Sequence, residues 1–175
     1  MSINSHWIIG FVLALTFASP VQAKIIKSSP DHFTLRHEAV SSLTPKQIWK
    51  RLKSPASWWH PDHTYSGSVK NLRIDLRPGG LWRETWSGGS VAHGTVLYVK
   101  KGEVLRLDAP FGPLQEMAVT DIWTITVKPY EDGSKIIFDE IANGSPESDL
   151  GKMAKAVDFV KEEAIQRLAA TKLPN

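Results

Sequence analysis

The chain contains no cysteine. Disulfides, thiolate zinc sites and attachment of a lipid to an N-terminal cysteine are therefore excluded. No G-x-S-x-G sequence occurs, so nothing has the form of a nucleophile elbow. No glycine-rich turn joins a strand to a helix with a lysine, and none reads as a phosphate loop. Residues 1–23 hold no Asp, Glu, Lys or Arg, so the formal net charge of +3 belongs to the rest of the chain. There the basic residues are scattered among acids. They form no dense basic face, which argues against a nucleic-acid partner. A modest positive charge of this kind serves solubility.

Charge is missing from the N-terminal segment in a particular way. Residues Trp7 to Ala18 are almost wholly apolar. That run has about the length of a signal-peptide core and is too short to span a bilayer. Val21 and Ala23 place small residues at the two positions a signal peptidase reads. With no Lys or Arg before it, the run relies on the amino terminus for positive charge. The expectation is a signal peptide over 1–23, a leader over 24–31 and a single domain over 32–172. Such a protein is periplasmic or secreted and keeps no membrane span after cleavage. A domain of about 150 residues buries enough surface to be stable without disulfides.

The remainder alternates and turns. Residues 33–41 read as a strand. Thr44-Pro45-x-Gln47 has the shape of a capping box with proline at the first helical position. Ile48, Trp49 and Leu52 form the apolar stripe of the helix it starts. A second short helix is expected over 55–60, broken by Pro61. Strands are expected near 71–77, 80–87, 91–101, 103–109, 116–129 and 134–142. The punctuation is Pro78-Gly79-Gly80, Gly88-Gly89, Lys101-Gly102 and Glu131-Asp132-Gly133. Connections this short make antiparallel hairpins. A long helix follows over 148–170, with Leu150, Met153, Val157, Val160, Ala164 and Leu168 on one face and Phe159 opposite. The fold class is α+β: seven curved antiparallel strands around a long C-terminal helix, with two short helices after the first strand.

The period of two along each strand assigns the faces. Trp82, Glu84 and Trp86 share a face, as do Asp121, Trp123, Ile125 and Val127. Ile136, Phe138 and Glu140 share a third, and Leu72, Ile74 and Leu76 a fourth. These sets point at the long helix, carrying Glu84, Asp121 and Glu140 inward, with His37 beside them. Tryptophans, histidines and a tyrosine gather over 55–86, which reads as the lining of an aromatic cavity.

The element order, the D-x-R-x-G-G turn at Asp75 to Gly80 and the W-x-I-x-V-x-P strand end at Trp123 to Pro129 resemble the SRPBCC superfamily. That group includes START, Bet v 1-like, polyketide cyclase-like and Hsp90-ATPase-activator-homology domains. The resemblance spans about residues 31–170, and it is strongest to the bacterial activator-homology and cyclase-like branch. It implies a helix-grip fold with a ligand cavity between sheet and C-terminal helix.

The expected occupant is a small hydrophobic molecule, with no cofactor. The expected ligand-binding residues are Trp59, His60, His63, Tyr65, Leu76, Trp82, Trp86, Phe111, Asp121, Trp123, Phe138, Met153 and Val157. One of Trp58 and Trp59 plugs the core, and the loops 61–69 and 110–114 are candidates to gate the cavity. Glu84, desolvated between two tryptophans, is expected to have a raised pKa and to serve as a general acid or base, with His93 assisting. The H-x-x-H pair His60 and His63, with His93 and Glu84, would make a nitrogen/oxygen metal site. Because H-P-D-H is not helical, the two imidazoles need not share a face, and the preferred expectation is no metal. Three functions compete: a binder, a cyclase, dehydratase or isomerase using Glu84, and a protein-interaction module.

Overall fold

The computed structural model describes residues 22–171. The expected signal segment lies outside them, except that Gln22 and Ala23 begin the first strand. In chain order the elements are β1 (Gln22–Ser29), β2 (His32–Ser41), α1 (Pro45–Leu52), β3 (Leu72–Ile74), β4 (Leu81–Trp86), β5 (Gly89–Lys100), β6 (Val104–Asp108), α2 (Pro113–Glu116), β7 (Thr120–Tyr130), β8 (Gly133–Asn143) and α3 (Leu150–Ala169). Short 3-10 turns occupy Pro55–Ser57, Pro61–His63, Val69–Asn71 and Pro146–Ser148. All eight strands form one antiparallel sheet in the order β1-β2-β8-β7-β6-β5-β4-β3. The α+β architecture, a curved sheet with a C-terminal helix, agrees with the sequence expectation and is compatible with a helix-grip arrangement.

The sheet has one strand more than expected, because the presumed leader 24–31 supplies most of β1. A two-residue turn at Pro30 and Asp31 folds it back on β2, with Ile25 opposite Leu35 and Ser29 opposite His32. As an edge strand it is mostly exposed and shows no clean alternation, so its period is hard to read. Two other strands begin or end elsewhere. β3 stops at Ile74 because Arg77 N–H bonds back to Asp75 C=O and Gly80 N–H to Arg77 C=O, making a turn. Residues 116–119 finish α2 and a bend at Ala118, whose φ is 54°. In place of the second short helix, 55–63 forms two 3-10 turns.

The face assignments hold. β2 alternates strictly, burying Phe33, Leu35, His37, Ala39 and Ser41. β7 buries Asp121, Trp123, Ile125 and Val127, and β4 buries Trp82 and Glu84. Thr44 and Gln47 form the expected capping box on α1. The C-terminus of α3, where carbonyls lack helical partners, is tied down by side chains. Ser41 Oγ donates to Ala169 C=O at 2.6 Å, and Arg51 donates to Arg167 C=O at 2.7 Å and to Ala170 C=O. Arg167 Nε in turn donates to Trp58 C=O at 3.1 Å.

The interior is divided. One apolar cluster joins α1, Trp58, Trp59, Trp82, Trp123, Phe138 and the end of α3. A second joins Phe33, Leu35, Leu114, Val119 and Ala142 to Leu150 and Ala154 at the start of α3.

Gly80 tests the turn before β4. A Cβ there would sit 2.1 Å from Asp75 C=O and 2.9 Å from Arg77 C=O, both backbone atoms that cannot rotate aside. Gly80→Ala is expected to destabilise the fold by about 1–3 kcal/mol, the usual cost of forcing extra volume into a packed site, measured by urea denaturation.

Candidate functional site

A cavity of about 450 Å³ lies between the sheet and α3. Its walls draw on both apolar clusters: Trp59 and Phe111 from one, Leu114, Met153 and Val157 from the other. Trp59 and Phe111 stack with ring centroids 5.2 Å apart, and Phe111 stacks on His93 at 5.3 Å. Tyr65 and His63 also face the cavity.

Its polar end is built from three buried side chains, Asp121 of β7, Glu140 of β8 and Lys161 of α3. Lys161 Nζ donates to Glu140 Oε1 at 2.7 Å. The same ammonium lies 3.7 Å from the Trp123 ring centroid and 5.2 Å from that of Phe111, cation–π geometry in a dry setting. Both oxygens of Asp121 and Oε2 of Glu140 have no hydrogen-bond partner among the described residues. Burial pushes the Asp121 carboxyl well above its usual range, and the Glu140 carboxylate pushes it further; Lys161 pulls the other way and loses. Asp121 therefore holds a proton far more readily than an ordinary aspartate, beside a Glu140 that accepts from Lys161.

Glu84 has the opposite fate. It is buried as expected, but its pKa is not raised. Burial alone would raise it. Hydrogen bonds from Ser66, Tyr65 and His93 outweigh that and hold the carboxyl below its ordinary value. Tyr65 N–H donates to Oε2 at 3.0 Å, Ser66 N–H to Oε1 at 2.6 Å, and His93 Nε2 lies 3.0 Å from Oε2. A carboxylate holding that many donors is a loop anchor, not a poised acid. His93 is itself held below its usual value, chiefly by burial, with Glu84 opposing, so it is neutral and donates from Nε2. His37 is buried with its Nε2 2.9 Å from Asp158 on α3.

Of the residues singled out from sequence, Trp59, His63, Tyr65, His93, Phe111, Asp121, Met153 and Val157 line the cavity. Trp82, Trp123 and Phe138 lie instead in the packed core. Trp58 meets Trp82 edge-on at 5.5 Å, Trp82 stacks on Trp123 at 5.8 Å, and Trp123 meets Phe138 edge-on at 4.9 Å. Leu76 packs at the border of this cluster, and Trp86 lies half-buried across Gly89. His60 sits outside the cavity wall, beside His63. The aromatic face is thus largely filled by its own rings, and the open volume lies beside it. Lys161 was missed, although its signal was legible: it falls in the apolar stripe between Val157 and Ala164. A lysine in such a stripe calls for a buried acid, and Glu140 was already placed inward.

No family model matches this chain, and no curated protein matches it. Solved structures do. A conserved protein of unknown function from Enterococcus faecalis aligns over 85% of this chain and 75% of its own, with a TM-score of 0.58 and 16% identity. A Mycobacterium smegmatis protein aligns over 85% and 95%, with a TM-score of 0.56 and 18% identity. A Chromobacterium violaceum protein aligns over 81% and 98%, with a TM-score of 0.53 and 22% identity. These are similarities of fold.

Two measurements probe the buried charges. Glu84→Gln keeps the size but turns an amide NH₂ toward a backbone donor. It is expected to destabilise by about 1–3 kcal/mol at neutral pH, the cost of an unmade buried hydrogen bond. Because the folded pKa of Glu84 lies below the unfolded one, its carboxylate stabilises in full above about pH 4.3 and ceases to as pH falls through the folded value. Glu84→Gln should therefore flatten the acid limb of a stability–pH curve from denaturant unfolding. Wild type should also begin losing stability below about pH 6.5, where unfolded histidine takes up a proton that folded His93 refuses. Lys161→Met leaves Glu140 buried without its cation and is expected to cost about 3–5 kcal/mol. A destabilisation under 1 kcal/mol in the same unfolding assay would mean that Glu140 is solvated.

Proposed function

We propose that this chain is an exported protein of the SRPBCC type that binds one small, mainly apolar molecule between its sheet and α3. Export rests on the N-terminal apolar run and the small residues before Lys24. No described helix is long and apolar enough to cross a membrane. The SRPBCC assignment rests on the turn and strand motifs of the sequence, and the sheet-plus-helix architecture is compatible with it.

The single observation carrying the reading is the cavity itself. At about 450 Å³ it falls in the size range of small-molecule pockets, and it combines apolar walls with a few convergent polar groups in the usual way. The polar end selects the orientation. Glu140 Oε2 and the Asp121 carboxyl have no hydrogen-bond partner among the described residues, which favours a ligand whose one polar group can both donate and accept, a hydroxyl or an amine, with its apolar body against Phe111, Met153 and Val157.

A second reading, an enzyme of the isomerase or dehydratase type, is favoured by Asp121. A buried acid held toward its protonated form can give up a proton to a bound ligand. The acid is then Asp121 and not Glu84. Asp121→Asn should leave affinity for the ligand and abolish turnover in an enzyme, and alter affinity alone in a binder.

Native mass spectrometry of the chain purified without detergent tests binding directly. The expected spectrum shows one discrete extra mass that leaves on denaturation. Val157→Trp, which fills the cavity, should give the bare chain with its melting temperature kept or raised. An extra mass that persists in Val157→Trp would place the ligand elsewhere. A bare wild-type chain that also takes up none of a panel of apolar alcohols and amines would overturn the reading.

A further inference from the structure

The H-x-x-H pair takes a geometry that its sequence did not disclose. His60 caps, and His63 ends, the 3-10 turn Pro61–His63. Side chains three apart in a 3-10 turn eclipse one another, so the two imidazoles lie on one side with centroids 5.5 Å apart. Both aim Nε2 at one carboxylate, Glu163 of α3. His60 Nε2 is 3.5 Å from Oε1 and His63 Nε2 is 3.0 Å from Oε2. One donor atom from each residue falls within 4.8 Å of the other two. Glu84 and His93, the partners suggested by sequence, are bonded to each other instead.

We propose that His60, His63 and Glu163 form a site for one divalent transition-metal ion of the zinc class. In a tetrahedral site, metal–ligand bonds of about 2.0–2.2 Å place neighbouring ligand atoms about 3.3–3.6 Å apart. The histidine–carboxylate separations of 3.5 and 3.0 Å, one to each Glu163 oxygen, are close to that spacing, so an ion enters by displacing the bridging protons with adjustment of the side chains and not of the backbone. Two imidazole nitrogens and one carboxylate oxygen are a donor set that zinc accepts, with a remaining position for water or a ligand atom. Burial suits it as well. The side chains are 26%, 23% and 27% exposed, sheltered enough to hold orientation and open enough to admit an ion.

The surroundings supply orientation. Trp59 Nε1–H donates to His63 C=O at 2.9 Å and fixes the turn. His60 Nδ1 accepts from Asp62 N–H at 3.2 Å and lies 3.8 Å from Asp62 Oδ2. With a metal on Nε2 the ring proton moves to Nδ1, and a small rotation gives it to the Asp62 carboxylate, the usual support for a ligating histidine. Two neutral imidazoles with the Glu163 and Asp62 carboxylates balance a 2+ ion. His63 and Asp62 also line the cavity, so the ion would stand at its rim. The proposal does not depend on the cavity having an occupant.

Isothermal titration of the untagged, metal-stripped chain with Zn²⁺ at pH 7.5 tests it. The expected result is one ion per chain with micromolar or tighter affinity and a rise in melting temperature. Glu163→Gln and His63→Asn should each weaken binding about tenfold or more. His32→Asn should not, because His32 is held away by Asn143 and Thr34. Circular dichroism of metal-free Glu163→Gln checks that it folds, and the two substitutions on different elements guard against one failing. Absence of stoichiometric binding, or binding that survives both substitutions, would overturn the site and leave a plain histidine–glutamate clasp.

Discussion

The ion pair between Lys161 and Glu140 is the constraint to which the interior answers. It is fully desolvated, so it holds only if its partners are placed closely. That requirement fixes α3 over β8 in one register. The ammonium then lies over the Trp123 ring, which ties the helix to the aromatic cluster as well. With Lys161 committed to Glu140, its pull on Asp121 one strand away does not offset burial and the Glu140 carboxylate. The Asp121 carboxyl is therefore held well above its usual range. One pairing thus sets the position of the helix and adds to what burial does at the cavity end.

The two inward carboxyls of β4 and β7 show how environment overrides residue type. Glu84 and Asp121 are both buried beside aromatic rings. Glu84 meets backbone donors from Tyr65 and Ser66 and the ring of His93, and so stays ionised. Asp121 is buried near the Glu140 and Asp108 carboxylates and a cation already engaged, and so is held well above its usual range. The first fastens the loop over the cavity. The second faces the cavity itself. Desolvation acts on both, and the supply of donors decides the outcome.

The tryptophans explain why the cavity is where it is. Trp58, Trp82 and Trp123 pack against one another and Phe138 and fill the half of the interior nearest α1. The half nearest the start of α3 is walled by smaller side chains, Leu114, Met153, Ala156 and Val157. Shorter side chains there leave room that the indoles do not reach. Trp59 stands between the two halves: one face joins the cluster, and its indole N–H holds the histidine turn that carries His60 and His63.

Strand period and turn chemistry are local, and the sequence by itself determined what depends on them. The alternation of Trp82 with Glu84 and of Asp121 with Trp123 turned the right side chains inward. Thr44 and Gln47 announced α1, and the glycine turns announced the hairpins. The shape of the interior depends on which facing side chains meet, and only the tertiary structure decided that. It placed Trp82 in packed core and not in cavity wall, because Trp58 and Trp123 arrive from distant segments to cover it. It gave Glu84 its donors from a loop and left Asp121 with none. It put β1 on the sheet edge, where weak alternation gave no signal. It brought Glu163, a hundred residues further along the chain than His63, to the histidine turn. A pKa, a cavity and a cluster of ligands are all sums over neighbours in space, and neighbours in space are what a linear pattern does not carry.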